Sequence, residues 1–91
     1  MPTQTVTLQN GSGLHARPAR VFAKKAKEFD SDVTVRKTAG DDAELVNAKS
    51  TLSVLTLDCH QGDEIEIVTD GDDADGALAA LVDLVDNGLG E

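Results

Sequence analysis

"NGSGLHARPARVFAKKA", residues 10–26, decides the fold. It opens as a polar, glycine-bearing loop and changes character at Pro18. From there Ala19, Phe22, Ala23 and Ala26 fall at i, i+3, i+4 and i+7, so one face of a helix is apolar. Pro18 suits the first turn of that helix, because its φ is preset and its missing N–H has no intrahelical partner there.

Outward from this helix, the period drops to two. "TQTVTLQN" (3–10) puts Val6 and Leu8 on one face of a short strand, and "DSDVTVRK" (30–37) does the same with Val33 and Val35. "TAGDDAE" (38–44) reads as a polar turn, and "LVNA" (45–48) as a third short strand hairpinned to the second. "KSTLSVLTL" (49–57) reads as a helix with Ser50 as its N-cap. "QGDEIEIVTD" (61–70) carries Ile65 and Ile67 on one face of a fourth strand. The final helix, "ADGALAALVDLVDNGLG" (74–90), is expected to bury Leu78, Leu81, Val82, Val85 and Leu89 and to stop at Gly88 or Gly90. The order β-α-β-β-α-β-α, with short connections, predicts an α+β open-faced sandwich: a four-stranded antiparallel sheet with three helices on one face. The 91 residues are expected to form a single domain, 1–91.

Composition narrows the function classes. The chain has no Trp or Tyr and only two Phe, so its core must be aliphatic. One cysteine rules out an intrachain disulfide and suits a reducing cytoplasm. "MPTQTVTLQN" (1–10) offers neither the basic nor the apolar region of a signal peptide, and no apolar run is long enough to span a bilayer. Residues 1–49 hold all eight Lys and Arg against six acids, whereas residues 50–91 hold eleven acids and no Lys or Arg. A net charge of −9 repels nucleic acid and is not expected to bind it. Such acidity serves solubility; it also fits a high-salt habitat, where salt screens repulsion among dense carboxylates.

The stretch around His15 carries the chemistry. The N–H groups at a helix start point outward unbonded, and the helix dipole adds partial positive charge, which together favour an anion. Arg17 adds a planar, permanently charged fork for phosphate oxygens. A neutral imidazole beside such a cradle is a nucleophile that can carry phosphate. Gly11 and Gly13 are expected to let the loop approach that phosphate closely. The simpler alternative, a surface or capping histidine, weakens because His15 comes with Arg17, Pro18 and a helix start. Arg17, Arg20, Lys24 and Lys27 recur at i, i+3, i+7 and i+10 and lie in one narrow arc. A uniformly basic arc on an acidic protein reads as a docking face for acidic partners, against the plainer reading of a solubilising face.

"GLHARPA" (13–19) and the helix it opens resemble the active-site signature of the HPr family, the histidine-containing phosphocarriers of the phosphoenolpyruvate-dependent sugar phosphotransferase system. "NAKSTLSVLTL" (47–57) is similar to the family's second signature, "QGDEIEI" (61–67) to its last strand, and "DADGALAALVDLV" (73–85) to its closing helix. The resemblance implies that His15 accepts a phosphoryl group from enzyme I and passes it to a sugar-specific enzyme IIA. It implies that Arg17 holds the transferred group, with backbone donors at Ala16 and Arg17. Lys24, Lys27 and Lys49 would join Arg20 in docking, beside the apolar Leu52 and Leu55. Ser50 matches a serine phosphorylated by a regulatory kinase in some members. The chain departs from the pattern in a longer 37–44 turn, in Thr51 and Ser53, and in Asp58, where a glycine commonly ends the second helix. A member of this family is expected to be a monomer that needs no cofactor and turns over nothing without a partner's active site. Same-fold alternatives are a carrier serving a dihydroxyacetone kinase complex or a nitrogen-related branch, and a regulatory module docking a transcriptional partner.

Two other clusters bear on metal binding. "CH" at 59–60 lacks companions, since the chain has one Cys and two His, and no metal is expected. Cys59 reads as a small buried apolar residue and His60 as a loop residue. "DGDDADG" (70–76) lacks the closing glutamate of a calcium loop and reads as an acidic lead-in to the last helix, with Asp72, Asp73 and Asp75 favouring its N-terminus.

Overall fold

A computed structural model describes residues 2–38 and 45–89. Seven elements follow the expected order: β1 (Thr3–Thr7), α1 (Ala16–Ala26), β2 (Asp32–Lys37), β3 (Val46–Asn47), α2 (Thr51–Leu55), β4 (Glu64–Asp70) and α3 (Ala74–Asp86). The sheet runs β1-β4-β2-β3, every neighbouring pair antiparallel. The three helices cover one face. β4 lies between β1 and β2, so the β1–α1–β2 unit is split by the last strand.

Register explains which face is buried. Val6 pairs with Ile65, Val35 with Ile67 and Val33 with Thr69. Because directly paired residues share a face, Val6, Val33, Val35, Ile65 and Ile67 make one apolar floor, and all are buried. Phe22 of α1, Val54 of α2, and Leu81 and Val85 of α3 complete the core on that floor. The opposite face carries Thr5, Thr34, Glu64 and the Arg36–Glu66 ion pair at 2.6 Å, the polar alternation of a sheet with one solvated side. No helix among the described residues is long and apolar enough to cross a membrane.

Four expectations shift in detail. α1 begins at Ala16, two residues before Pro18. Pro18 still belongs to the first turn, where a missing N–H costs nothing. β3 shrinks to two residues, with Leu45 exposed, although the Ala48 N–H donates to Val33 O at 2.9 Å and prolongs the pairing. In α3 the fully buried line is Ala74, Ala77, Leu81 and Val85, while Leu78 and Val82 are half-buried at its margins. Leucine and valine occur all round this helix, so hydropathy alone does not fix its rotation. Alanine at 74 and 77 lets the helix approach the sheet. Finally, Asp73 sits at the α3 N-cap without capping its own helix. Its carboxylate accepts from the Ser31 hydroxyl and from the Asp30 and Ser31 N–H groups, tying α3 to the α1–β2 connection. These bonds, led by that from Ser31, hold the Asp73 carboxyl below the usual carboxylate range. Gly88 and Leu89 end α3 with φ of 83° and 55°, and Leu89 turns back into the core. Most of the 38–44 turn lies outside the described residues.

Candidate functional site

The loop before α1 is built from its own backbone. Asn10 is buried, and its Nδ2 donates to Gly13 O at 2.8 Å, while the Gly13 N–H donates to Asn10 O at 3.1 Å. The His15 N–H donates to Ser12 O at 3.2 Å. The Leu14 N–H donates to Cys59 O at 3.0 Å, and the Leu14 side chain is buried. This anchors the loop to residues 58–60 and delivers His15 to the N-cap of α1. Gly13 is required by that contact: with φ of 57°, a Cβ there would sit 2.5 Å from Cys59 O and 2.6 Å from His60 Cα. Gly13 serves approach to Cys59 and His60, and a Cβ at Gly11 would meet nothing within 4 Å.

His15 occupies the N-cap with extended backbone, φ −81° and ψ −169°, and its side chain makes no capping bond. The ring is exposed. Its carbonyl accepts the first intrahelical bond, from the Ala19 N–H at 2.8 Å. Helix geometry leaves the Ala16 and Arg17 N–H groups without intrahelical acceptors, and Pro18 has none to offer. Arg17 is exposed beside them. The sequence-predicted group of His15, Ala16 and Arg17 is thus gathered in one helical turn, with backbone donors, dipole and guanidinium together.

Arg20, Lys24 and Lys27 are exposed along α1, and none of them is ion-paired among the described residues. Lys49 differs: it is half-buried and its Nζ donates to Phe29 O at 2.8 Å, just beyond the α1 C-terminus. Leu52 is 75% exposed, whereas Leu55 is half-buried against the core. α1 and α2 pack together, so Leu52 presents an apolar surface beside the basic helix. The Ser50 Oγ accepts from the Ser53 N–H at 3.3 Å, as an N-cap does.

The neighbourhood of residues 58–63 is what sequence reading missed. Asp58 adopts φ of 50°, the left-handed conformation that glycine takes most easily and Asp tolerates. Cys59 is buried, and burial pushes its thiol up to about 11. His60 faces outward, its ring edge-on to His15 at 4.8 Å between centroids. Asp58 Oδ1 lies 3.6 Å from His60 Nε2, and Asp63 Oδ2 lies 3.7 Å from Nδ1. Asp63 is held by the His60 N–H at 2.8 Å and by Lys37 Nζ at 3.3 Å. That backbone bond leads in keeping its carboxyl below the ordinary range. The alternation out–in–out of 58–60 could have signalled this. The partner, 45 positions away in sequence, could not have been found without the fold.

The chain matches the family described as "PTS HPr component phosphorylation site" over residues 2–87. The phosphocarrier protein HPr of Haloferax volcanii is 43% identical over 82 residues, covering 90% of each chain. A multiphosphoryl transfer protein of Vibrio cholerae is 38% identical over 89 residues; these are 98% of this chain but 22% of that protein, so the chain spans about a fifth of that relative's length. The crystal structure of an HPr from Thermoanaerobacter tengcongensis superposes with a TM-score of 0.89 at 38% identity, covering 100% of this chain and 98% of that one. From its split sheet to the exposed histidine at the head of its first helix, the chain belongs to the HPr family of phosphocarriers of the phosphotransferase system.

Proposed function

We propose that the protein accepts a phosphoryl group from phosphorylated enzyme I on His15, and donates it to a sugar-specific enzyme IIA in the service of sugar uptake in the cytoplasm. The observation that carries this reading is the uncapped start of α1. An exposed imidazole stands where a capping side chain normally satisfies the first N–H groups, and those donors are left for a phosphate. His15 attacks phosphorus through the lone pair of one ring nitrogen, and the donor's phosphorylated residue leaves. Arg17 and the N–H groups of Ala16 and Arg17 meet the phosphoryl oxygens, and the reverse exchange occurs on the acceptor. Arg20, Lys24 and Lys27, with Leu52 and Leu55, form the face that both partners dock in turn. Lys49 contributes charge to that face while anchored to Phe29. Ser50 serves as a cap.

The assay is incubation with phosphoenolpyruvate and enzyme I. One phosphate per chain is expected on His15, labile in acid and stable in alkali as a P–N bond is. Equal incorporation by His15→Ala would overturn the assignment. The acidity of residues 50–91 supports a high-salt habitat, tested below.

A further inference from the structure

His15 is not alone at the surface. The loop that Gly13 presses against presents Asp58 and His60 to it, and one ligand atom from each of His15, Asp58 and His60 lies within 4.8 Å of the others. We propose that these three side chains form a site for a borderline divalent cation of the zinc class, and that its occupancy switches off the phosphoryl acceptor.

The donor set is the first argument. Two imidazoles and a carboxylate suit zinc, and three protein ligands leave a fourth position open for water or an anion. Around zinc at about 2.0–2.2 Å, such ligands stand about 3.4 Å apart. The present spread reaches 4.8 Å, a gap of about 1.4 Å that three exposed side chains close by small rotations.

Preorganisation is the second argument. A metal-bound histidine commonly has its other ring nitrogen held by a carboxylate. His60 comes near this arrangement: Asp63 Oδ2 lies 3.7 Å from Nδ1, a small rotation short of a hydrogen bond, and Nε2 is left beside Asp58. Asp63 is itself fixed by the His60 N–H and by Lys37. The backbone is fixed too, by the Leu14 N–H to Cys59 O bond.

A count of one Cys and two His leaves out the carboxylate of Asp58, and Cys59 faces inward. The useful pair flanks that cysteine, and the third ligand comes from the α1 N-cap. The consequence for function rests on the carrier reading given above. A neutral imidazole has one nitrogen lone pair. Donated to a cation, that pair is not available to attack phosphorus; withdrawal of the metal restores it, with no change in oxidation state.

The test is calorimetric titration of the metal-free full chain with zinc chloride, at about pH 8, above the ordinary histidine range. Wild type should bind one zinc per chain. His60→Ala should weaken binding at least tenfold, and Asp58→Asn about tenfold, whereas Asp70→Asn, an exposed carboxylate on β4, should leave it unchanged. Circular dichroism checks that each variant is folded. In parallel, zinc should slow phosphoryl acceptance from enzyme I by wild type more than by His60→Ala, in the same mixture and with the same enzyme I. Equal zinc affinity in wild type and His60→Ala overturns the site. Zinc binding that depends on His60 and Asp58, in a chain that takes no phosphate on His15, upholds the site and removes the carrier reading instead.

Discussion

α1 and α2 start in opposite ways. At α2 the N-cap is Ser50, whose hydroxyl accepts from the Ser53 N–H. At α1 the N-cap is His15, whose side chain accepts nothing from its own helix. The first is how a helix of five residues survives, since so short a segment cannot hold itself together without a cap and packing. The second forgoes a cap on an eleven-residue helix anchored by Phe22 and three alanines in the core. The longer helix can spare its N-terminal donors for a ligand. The contrast separates a helix start with a side-chain cap from one without, which the carrier reading assigns to chemistry, and each can be tested separately.

Arg17→Ala should produce the largest change short of removing the histidine. Removing a charge that meets the transferred group costs on the order of 10²-fold in rate. The exposed side chain supports no core contact, so the melting temperature should stay nearly constant. Rapid-quench transfer kinetics check the first statement and a thermal melt the second; unchanged kinetics would remove Arg17 from the site.

Ser50→Ala should do the reverse. Loss of the cap costs about 1 kcal/mol, which lowers the melting temperature by about 4–8 °C in a chain of this size. Phosphoryl acceptance on His15 should persist. A melt superimposable on wild type would show that α2 is held by packing alone, and phosphoserine at Ser50 in native extracts would give this cap a second, regulatory role.

A third effect is spread over the whole surface. Eleven carboxylates and no Lys or Arg lie between residues 50 and 91. The screening length falls from about 30 Å at 0.01 M salt to about 3 Å at 1 M. Repulsion in the folded state should therefore fade, and the melting temperature should rise with potassium chloride. Encounter with acidic partners through Arg20, Lys24 and Lys27 should slow over the same range. A flat or falling melting temperature would leave the acidity as solubility alone.

These tests bear on what the sequence could disclose. Alternation and helical spacing placed every element, because Val6, Val33, Val35, Ile65 and Ile67 face one way and Phe22 the same core. His15 and Arg17 stand out in the sequence because they lie just before a proline suited to a first helical turn. What escaped depends on distant contacts. The rotation of α3 was hidden by leucines on several sides, and the bond from Ser31 to Asp73 joins residues 42 apart. Gly13 was noticed as a glycine, but its reason, the backbone of Cys59 and His60, lies on another loop. His60 looked like an ordinary loop residue until the fold set it against His15.

The most direct test of the open helix start is His15→Ser, with stability and phosphate chemistry measured on the same sample. Serine is a good N-cap, so the variant should fold and melt at or above the wild-type temperature, with a gain of about 0.5–1 kcal/mol. Incubated with phosphoenolpyruvate and enzyme I, it should form no acid-labile phosphate, whereas wild type forms one per chain. A variant that still acquires acid-labile phosphate at the wild-type rate, or that melts well below wild type while failing to react, would contradict the claim that α1 gives up its cap for chemistry.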